Sequence, residues 1–153
     1  MDDKKLKEYR GEVINRAINV ERVVDVFITQ YFFKKVNIDF MTKALYDEYF
    51  NFGLKINILS KITKDNKLIN DLRRLSSIRN LFAHTGLILQ EYIDPFDHSK
   101  GFITKTPNPK KLEENIEYAE LYSEFNILAD DLENKLFTVY KENGGNFIPV
   151  ADE

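Results

Sequence analysis

The sequence predicts an all-α protein, a four- to five-helix antiparallel bundle with a small hairpin-like insertion around residues 87–105. Two observations carry this prediction. Four long segments repeat apolar residues with the 3.6-residue period of a helix that buries one face. Between the third and fourth segments, two β-prone runs flank a turn rich in Pro, Asp, Ser and Gly, which favours a hairpin.

The first two segments are the longest before the insertion. The first runs from about Glu8 to Lys35, and its apolar stripe is Val13, Ala17, Val20, Val24, Phe27 and Tyr31. The second runs from about Asp39 to Ile62, with Asp39 as the predicted N-cap. The length and periodicity of the first pattern outweigh the weak helix propensity of its Val and Ile residues.

The third segment runs from about Asn66 to Phe82, and Arg79 occupies the position where its next apolar residue is due. The fourth opens at Asn108-Pro109, a cap followed by proline in the first turn, and stops at Asn143-Gly144-Gly145. The chain of 153 residues is 43% hydrophobic, which suffices for one core. We therefore expect one helical domain over residues 1–143 and a C-terminal tail over residues 144–153.

Composition excludes several classes of function. The chain has no cysteine, which rules out disulfides, a thiol nucleophile and thiolate zinc sites. No apolar run approaches the roughly 20 residues of a membrane span, and the charged N-terminus has no signal-peptide pattern. A formal charge of −3 argues against generic nucleic-acid binding by the whole surface. We expect a cytoplasmic protein with no membrane contact and no cofactor.

Charge is distributed unevenly along the chain. The segment from Lys55 to Arg79 contains seven basic and two acidic residues, a net charge of +5. Between Glu113 and Glu133 there are eight acidic residues and no Lys or Arg, which is typical of a solvated helix face. The basic segment leads into the motif below and can attract a polyanion to that part of the surface.

The stretch "SSIRNLFAHTG" places Arg79, Asn80 and His84 at the end of the third helix. Histidine exchanges a proton near neutral pH, and arginine offers a charged fork that matches phosphate oxygens. Together they can cut RNA without a metal. The imidazole takes a proton from the ribose 2′-OH or protonates the leaving oxygen, and the guanidinium stabilises charge on phosphorus. Asn80 can orient the histidine or bind a phosphate oxygen.

Helix geometry constrains this site. Asn80 and His84 lie four residues apart on one face, whereas Arg79 and His84 lie about 140° apart around a regular helix. Either the helix loosens before His84, as the helix-stop residue Gly86 suggests, or a dimer combines the arginine of one subunit with the histidine of the other.

The residues "IRNLFAH", on the third long helix of a small helical domain, resemble the HEPN superfamily, whose motif is Arg-Asn-x-x-x-His. The resemblance implies a homodimer with two motifs facing each other across the interface. It also implies metal-independent endoribonuclease activity of the toxin–antitoxin, phage-defence or RNA-processing kind, with a possible antitoxin partner. In one toxin branch, a tyrosine two residues after the histidine is the site of modification. That position is Gly86 here, which argues against this regulation.

The expected function is therefore RNA cleavage, with His84 as acid and base and Arg79 stabilising phosphate charge. Arg73, Arg74 and Lys67 are the residues expected to bind RNA. The alternative is a non-catalytic regulatory or interaction protein that resembles the mannitol-repressor-like branch. In that case the motif is structural, and Arg79 pairs with Glu21 or Asp25. His98, near Asp94 and Asp97, is read as part of a turn and not as a metal ligand.

Overall fold

A computed structural model describes residues 3–84, 88–93, 95–96, 100–108 and 111–142 of the chain. This part of the chain confirms the predicted helical bundle. Its α-helices are α1 (Asp3–Phe33), α2 (Ile38–Phe40), α3 (Phe52–Ile62), α4 (Asn66–His84) and α5 (Tyr118–Glu142), and a π-helical turn (Met41–Leu45) follows α2. The strands are β1 (Ile88–Ile93), β2 (Lys100–Asn108) and β3 (Lys111–Glu117), all between α4 and α5.

The core lies where α1 packs against α3, α4 and α5. The stripe of α1 buries Val13, Ala17, Val20, Val24 and Ile28. The sequence predicts that this stripe continues through Phe27 and Tyr31. In the structure Ile28, four residues after Val24, is the next buried residue of the stripe. Phe27 is half-buried and Tyr31 is 48% exposed.

The second predicted helix is interrupted, so the prediction of one continuous helix was wrong. The Asn37 side chain, and not Asp39, caps α2 by accepting a hydrogen bond from the Phe40 N–H at 2.9 Å. The Asn51 side chain then caps α3 by accepting from the Leu54 N–H at 3.0 Å. A new N-cap at Asn51 starts a new helix, because its extended backbone cannot continue the preceding one.

The insertion contains the predicted hairpin and one strand more. Strands β1 and β2 pair antiparallel from Ile88↔Lys105 to Ile93↔Lys100, and β3 then pairs antiparallel with the other edge of β2. Helix α5 consequently begins at Tyr118 and not at the predicted Asn108-Pro109. Hydrogen bonding to β2 overrides the helix-start signal in this segment.

Ion pairs fasten α5 to its neighbours. The Arg16 guanidinium of α1 donates to Asp130 at 2.5 Å. The Arg74 guanidinium of α4 makes a bidentate bond to Glu124 at 2.7 and 2.5 Å. The sequence predicts a solvated face for the acidic run, but Glu124, Asp130 and Glu133 of α5 bond to these two arginines. The predicted C-terminal tail lies outside the described residues, and none of the described helices is long and apolar enough to cross a membrane.

A buried ion pair joins α1 to α3. The side chain of Lys55 is 3% exposed, and its Nζ bonds to Glu21 Oε1 at 2.7 Å and to Asp25 Oδ2 at 3.0 Å. Burial raises the pKa of Asp25 from 3.8 to about 6, although the neighbouring ammonium of Lys55 acts in the opposite direction. Loss of Lys55 would therefore leave the buried carboxylate of Asp25 and the partly buried one of Glu21 without a balancing positive charge.

We predict that Lys55→Met destabilises the protein by about 3–5 kcal/mol, because it leaves the buried carboxylate of Asp25 and the partly buried one of Glu21 without a counter-charge. Denaturant unfolding at pH 7.5 measures the change. Lys61→Met, at an exposed position of the same helix, is the matched control and should change stability by no more than about 0.5 kcal/mol. Equal effects of the two substitutions would contradict the role assigned to Lys55.

The raised pKa of Asp25 predicts a pH dependence of stability. Between about pH 4 and pH 6, the unfolded chain has released this proton while the folded protein retains it. The contribution of Asp25 to the unfolding free energy therefore falls as pH rises through this window, by at most about 3 kcal/mol, and is constant above it. Asp25→Asn should flatten the dependence of the unfolding free energy on pH, measured by denaturant unfolding. Asp39→Asn, at an exposed position, should leave this pH dependence unchanged.

Candidate functional site

Helix α4 carries the predicted motif and places its three residues differently. Its buried face consists of Leu68, Ile69, Leu72, Leu75, Ile78 and Phe82. Ile78 therefore takes the apolar position that the sequence pattern had assigned to Arg79. Because Arg79 is next in the chain, its side chain leaves the core at the edge and is half-buried, while Asn80 and His84 are exposed.

The guanidinium of Arg79 does not form the predicted structural ion pair. Its Nη1 donates to Asn80 Oδ1 at 2.9 Å, and its Nε is buried without a hydrogen-bond partner among the described residues. The carboxylates proposed as its partners, Glu21 and Asp25, bond to Lys55 instead. The charge of Arg79 is thus held near the surface without a carboxylate partner in the described part of the chain.

His84 is the last residue of α4 and is exposed to solvent. The helix stays regular up to this residue, so the predicted loosening before His84 is not observed; Thr85 and Gly86 lie outside the described residues. Arg79 and His84 consequently remain about 140° apart around α4. The guanidinium and the imidazole therefore leave α4 on different sides of the helix.

Tertiary ion pairs offset part of the positive charge of the basic segment between Lys55 and Arg79. Arg73 is exposed and lies on the same face of α4 as Asn80 and His84, because it precedes Asn80 by seven residues. Lys67 is exposed one turn or more away. Arg74 forms an ion pair with Glu124, and Lys55 forms one with Asp25 inside the bundle. The local excess of positive charge is therefore smaller than the sequence count of +5.

A groove beside Arg79 was not anticipated from the sequence. It has a volume of about 450 Å³ and lies between α1 and the segment that connects the π-helical turn to α3. Its lining includes Asp25, Tyr46, Lys55 and Arg79. The π-helical turn sets the position of Tyr46, which donates its backbone N–H to Met41 at 2.9 Å. Since the sequence pattern predicted an unbroken helix here, it contained no signal for this groove.

We predict that His84→Ala changes stability by no more than about 0.5 kcal/mol, because the side chain is exposed at a helix end. Phe82→Ala, two residues earlier and fully buried, should cost about 3–5 kcal/mol. Thermal or denaturant unfolding of both variants measures the contrast. A loss of several kcal/mol in His84→Ala would assign the histidine a structural role.

Within the described ranges, no group of three or more His, Asp or Glu side chains is arranged to hold a metal ion. His98, Asp94 and Asp97 lie outside these ranges.

Comparisons of the chain with protein-family models, curated proteins and solved structures yield no match. The resemblance of residues 78–84 to the HEPN superfamily therefore stays a prediction, which rests on Arg79, Asn80 and His84.

Proposed function

We propose that the protein is a HEPN-type, metal-independent endoribonuclease that acts as a homodimer. The observation that carries this proposal is the state of the motif on α4. His84 and Asn80 are exposed on one face, and Arg79 has no carboxylate partner in the described part of the chain. A motif that only held the bundle together would be expected to be buried and internally paired.

Each motif residue has a role that its environment allows. His84, open to solvent, takes the proton of a ribose 2′-OH as that oxygen attacks phosphorus, or delivers a proton to the leaving 5′ oxygen. Arg79 stabilises the negative charge that grows on the phosphoryl oxygens. Asn80 holds the guanidinium through its bond to Nη1 and so limits the orientations of Arg79.

A dimer could bring together an arginine and a histidine that lie on different sides of α4 within one chain. In a symmetric pair, two copies of α4 can face each other, so that the arginine of one subunit meets the histidine of its partner. Arg73 and Lys67 then lie on surfaces from which they can contact the RNA backbone, and Arg74 contributes less because Glu124 neutralises it. An antitoxin or other protein partner stays a prediction from the resemblance.

The proposal predicts that the purified protein cleaves single-stranded RNA equally well with and without EDTA. His84→Ala should lower the rate at least about 100-fold, since general acid–base catalysis contributes roughly that much. His98→Ala, at the second histidine of the chain, is the matched control and should retain activity. Undiminished cleavage by His84→Ala would refute the catalytic assignment.

Mixing two inactive variants tests the shared site. Arg79→Ala and His84→Ala subunits, each inactive alone, should recover roughly a quarter of the wild-type activity after joint refolding, because half of the dimers then contain one intact site. Sites formed within single subunits would give no recovery. Gel filtration of each variant verifies that the subunits still associate.

One observation favours the alternative, a non-catalytic interaction protein. The end of α1 and the residue that opens α2 expose large apolar side chains, with Phe32 at 59% and Ile38 at 63%. Exposed apolar surface of this kind is typical of contact sites for other proteins. The absence of any RNA cleavage, with wild-type stability in His84→Ala, would favour this alternative.

A further inference from the structure

A second groove lies at the end of the bundle where α1 and α3 end and α4 begins, beside the last turns of α5. We call it the end groove, and it has a volume of about 500 Å³. Its floor is formed by leucines of three helices that are at most 2% exposed, namely Leu59, Leu68 and Leu136. Its walls include half-buried apolar side chains of α1, α3 and α5, namely Phe27, Ile62 and Val139. These walls offer apolar surface that a further apolar group can cover.

Positive charge lies at the rim of the end groove. Lys34 and Lys64 line it, both residues are exposed, and no acidic residue is among its described lining. Lys34 has φ 58°, the left-handed conformation that favours glycine, and its N–H donates to the Gln30 carbonyl at 2.9 Å where α1 ends. Its Nζ lies 5.3 Å from the centre of the Tyr31 ring, which also lines the groove. The end groove therefore fits an apolar group that carries negative charge beside it.

The chain after α5 has this composition. Residues 143–153 lie outside the described residues, and their sequence combines large apolar residues with acidic ones and contains no Lys or Arg. The apolar residues are Phe147, Ile148 and Val150, and the acidic pair is Asp152 and Glu153. Burial of a Phe or Ile side chain is favourable, and exposed lysines attract nearby carboxylates weakly. The C-terminal tail therefore matches the end groove in both apolar character and charge.

Helix α5 ends close enough to the end groove for the tail to reach it. Val139 lines the groove, and the helix ends three residues later at Glu142, about 4.5 Å farther along its axis. Phe147 follows Glu142 by five residues, which can span at most about 17 Å. Gly144 and Gly145 lie within this span, and adjacent glycines allow the backbone to reverse direction. The chain length therefore allows Phe147 to return to the groove beside its own helix.

We propose that the C-terminal tail binds in the end groove of its own chain, with Phe147 and Ile148 against the apolar lining and the acidic pair facing Lys34 and Lys64. The tether favours this occupant over a free ligand or a second copy, because a short linker gives the tail an effective concentration of roughly millimolar. The apolar residues supply most of the binding free energy, since exposed ion pairs contribute little. Tail binding involves no residue of the motif on α4 and is independent of the proposed nuclease activity.

Tryptophan fluorescence tests the proposal, because the chain contains no Trp. In the full chain, the Phe147→Trp variant should emit at a shorter wavelength than a solvent-exposed tryptophan, and acrylamide should quench it severalfold less. Phe137→Trp is the matched control, since Phe137 lies on α5, is 46% exposed and does not line the end groove. Equal emission and quenching of the two variants would overturn the proposal. A wavelength shift that disappears on dilution would place the tail in a second copy and would also overturn it.

A charge placed in the wall of the end groove tests whether this groove is the binding site. Ile62→Glu in the Phe147→Trp chain should move the emission to longer wavelength and restore quenching, because it adds an acid to the apolar lining. Asn57→Glu, at an exposed position of α3 that does not line the groove, is the matched control and should change neither. Tyr31→Glu, at a lining position that is 48% exposed, should have the same effect as Ile62→Glu and provides the test if that variant does not fold. Unchanged emission in the groove variants would overturn the proposal.

Discussion

The buried ammonium of Lys55 is the interaction on which the arrangement of the site depends. It occupies the space between α1 and α3 and bonds to two carboxylates of α1. A buried ion pair adds little net stability compared with apolar packing, but it becomes costly to break once formed. Glu21 and Asp25 line the same groove as Arg79 and bond to Lys55, while Arg79 has no acidic partner in the described part of the chain. The guanidinium of Arg79 bonds instead to Asn80 Oδ1 at the edge of the bundle.

Helix α4 contributes one face to the core and also carries the residues of the proposed site. Its regular geometry determines on which sides of the helix these residues lie. Its apolar face is turned into the bundle, so the side chains next to that face emerge on two different sides. Arg79 emerges beside a groove and His84 emerges on open surface. A straight helix of this kind separates the two chemical groups within a chain, whereas a two-fold axis can reunite them. The proposed chemistry is therefore tied to association between subunits.

The periodic parts of the fold were predictable, and the parts that depend on competition between local signals were not. Helices α1 and α4 follow from long apolar stripes that only a helix can bury. The break before α3 depends on Asn51, whose capping role depends on a backbone conformation that the sequence does not reveal. Strand β3 exists because β2 offers it an edge. At the site, the spacing of the motif predicts which residues share a face of the helix. The ion pair of Arg74 with Glu124 joins two helices that are distant in sequence, so no local pattern predicts it.

The π-helical turn at Met41–Leu45 has a consequence for how the chain can change in length. Its closing hydrogen bond joins the Tyr46 N–H to the Met41 carbonyl, five residues back, so the turn contains one residue more than an α-helical turn. Loss of any one residue between these two positions would restore the ordinary winding and rotate the aromatic side chain by about 100°. Relatives that keep the groove should therefore show substitutions in this stretch but no single-residue deletions.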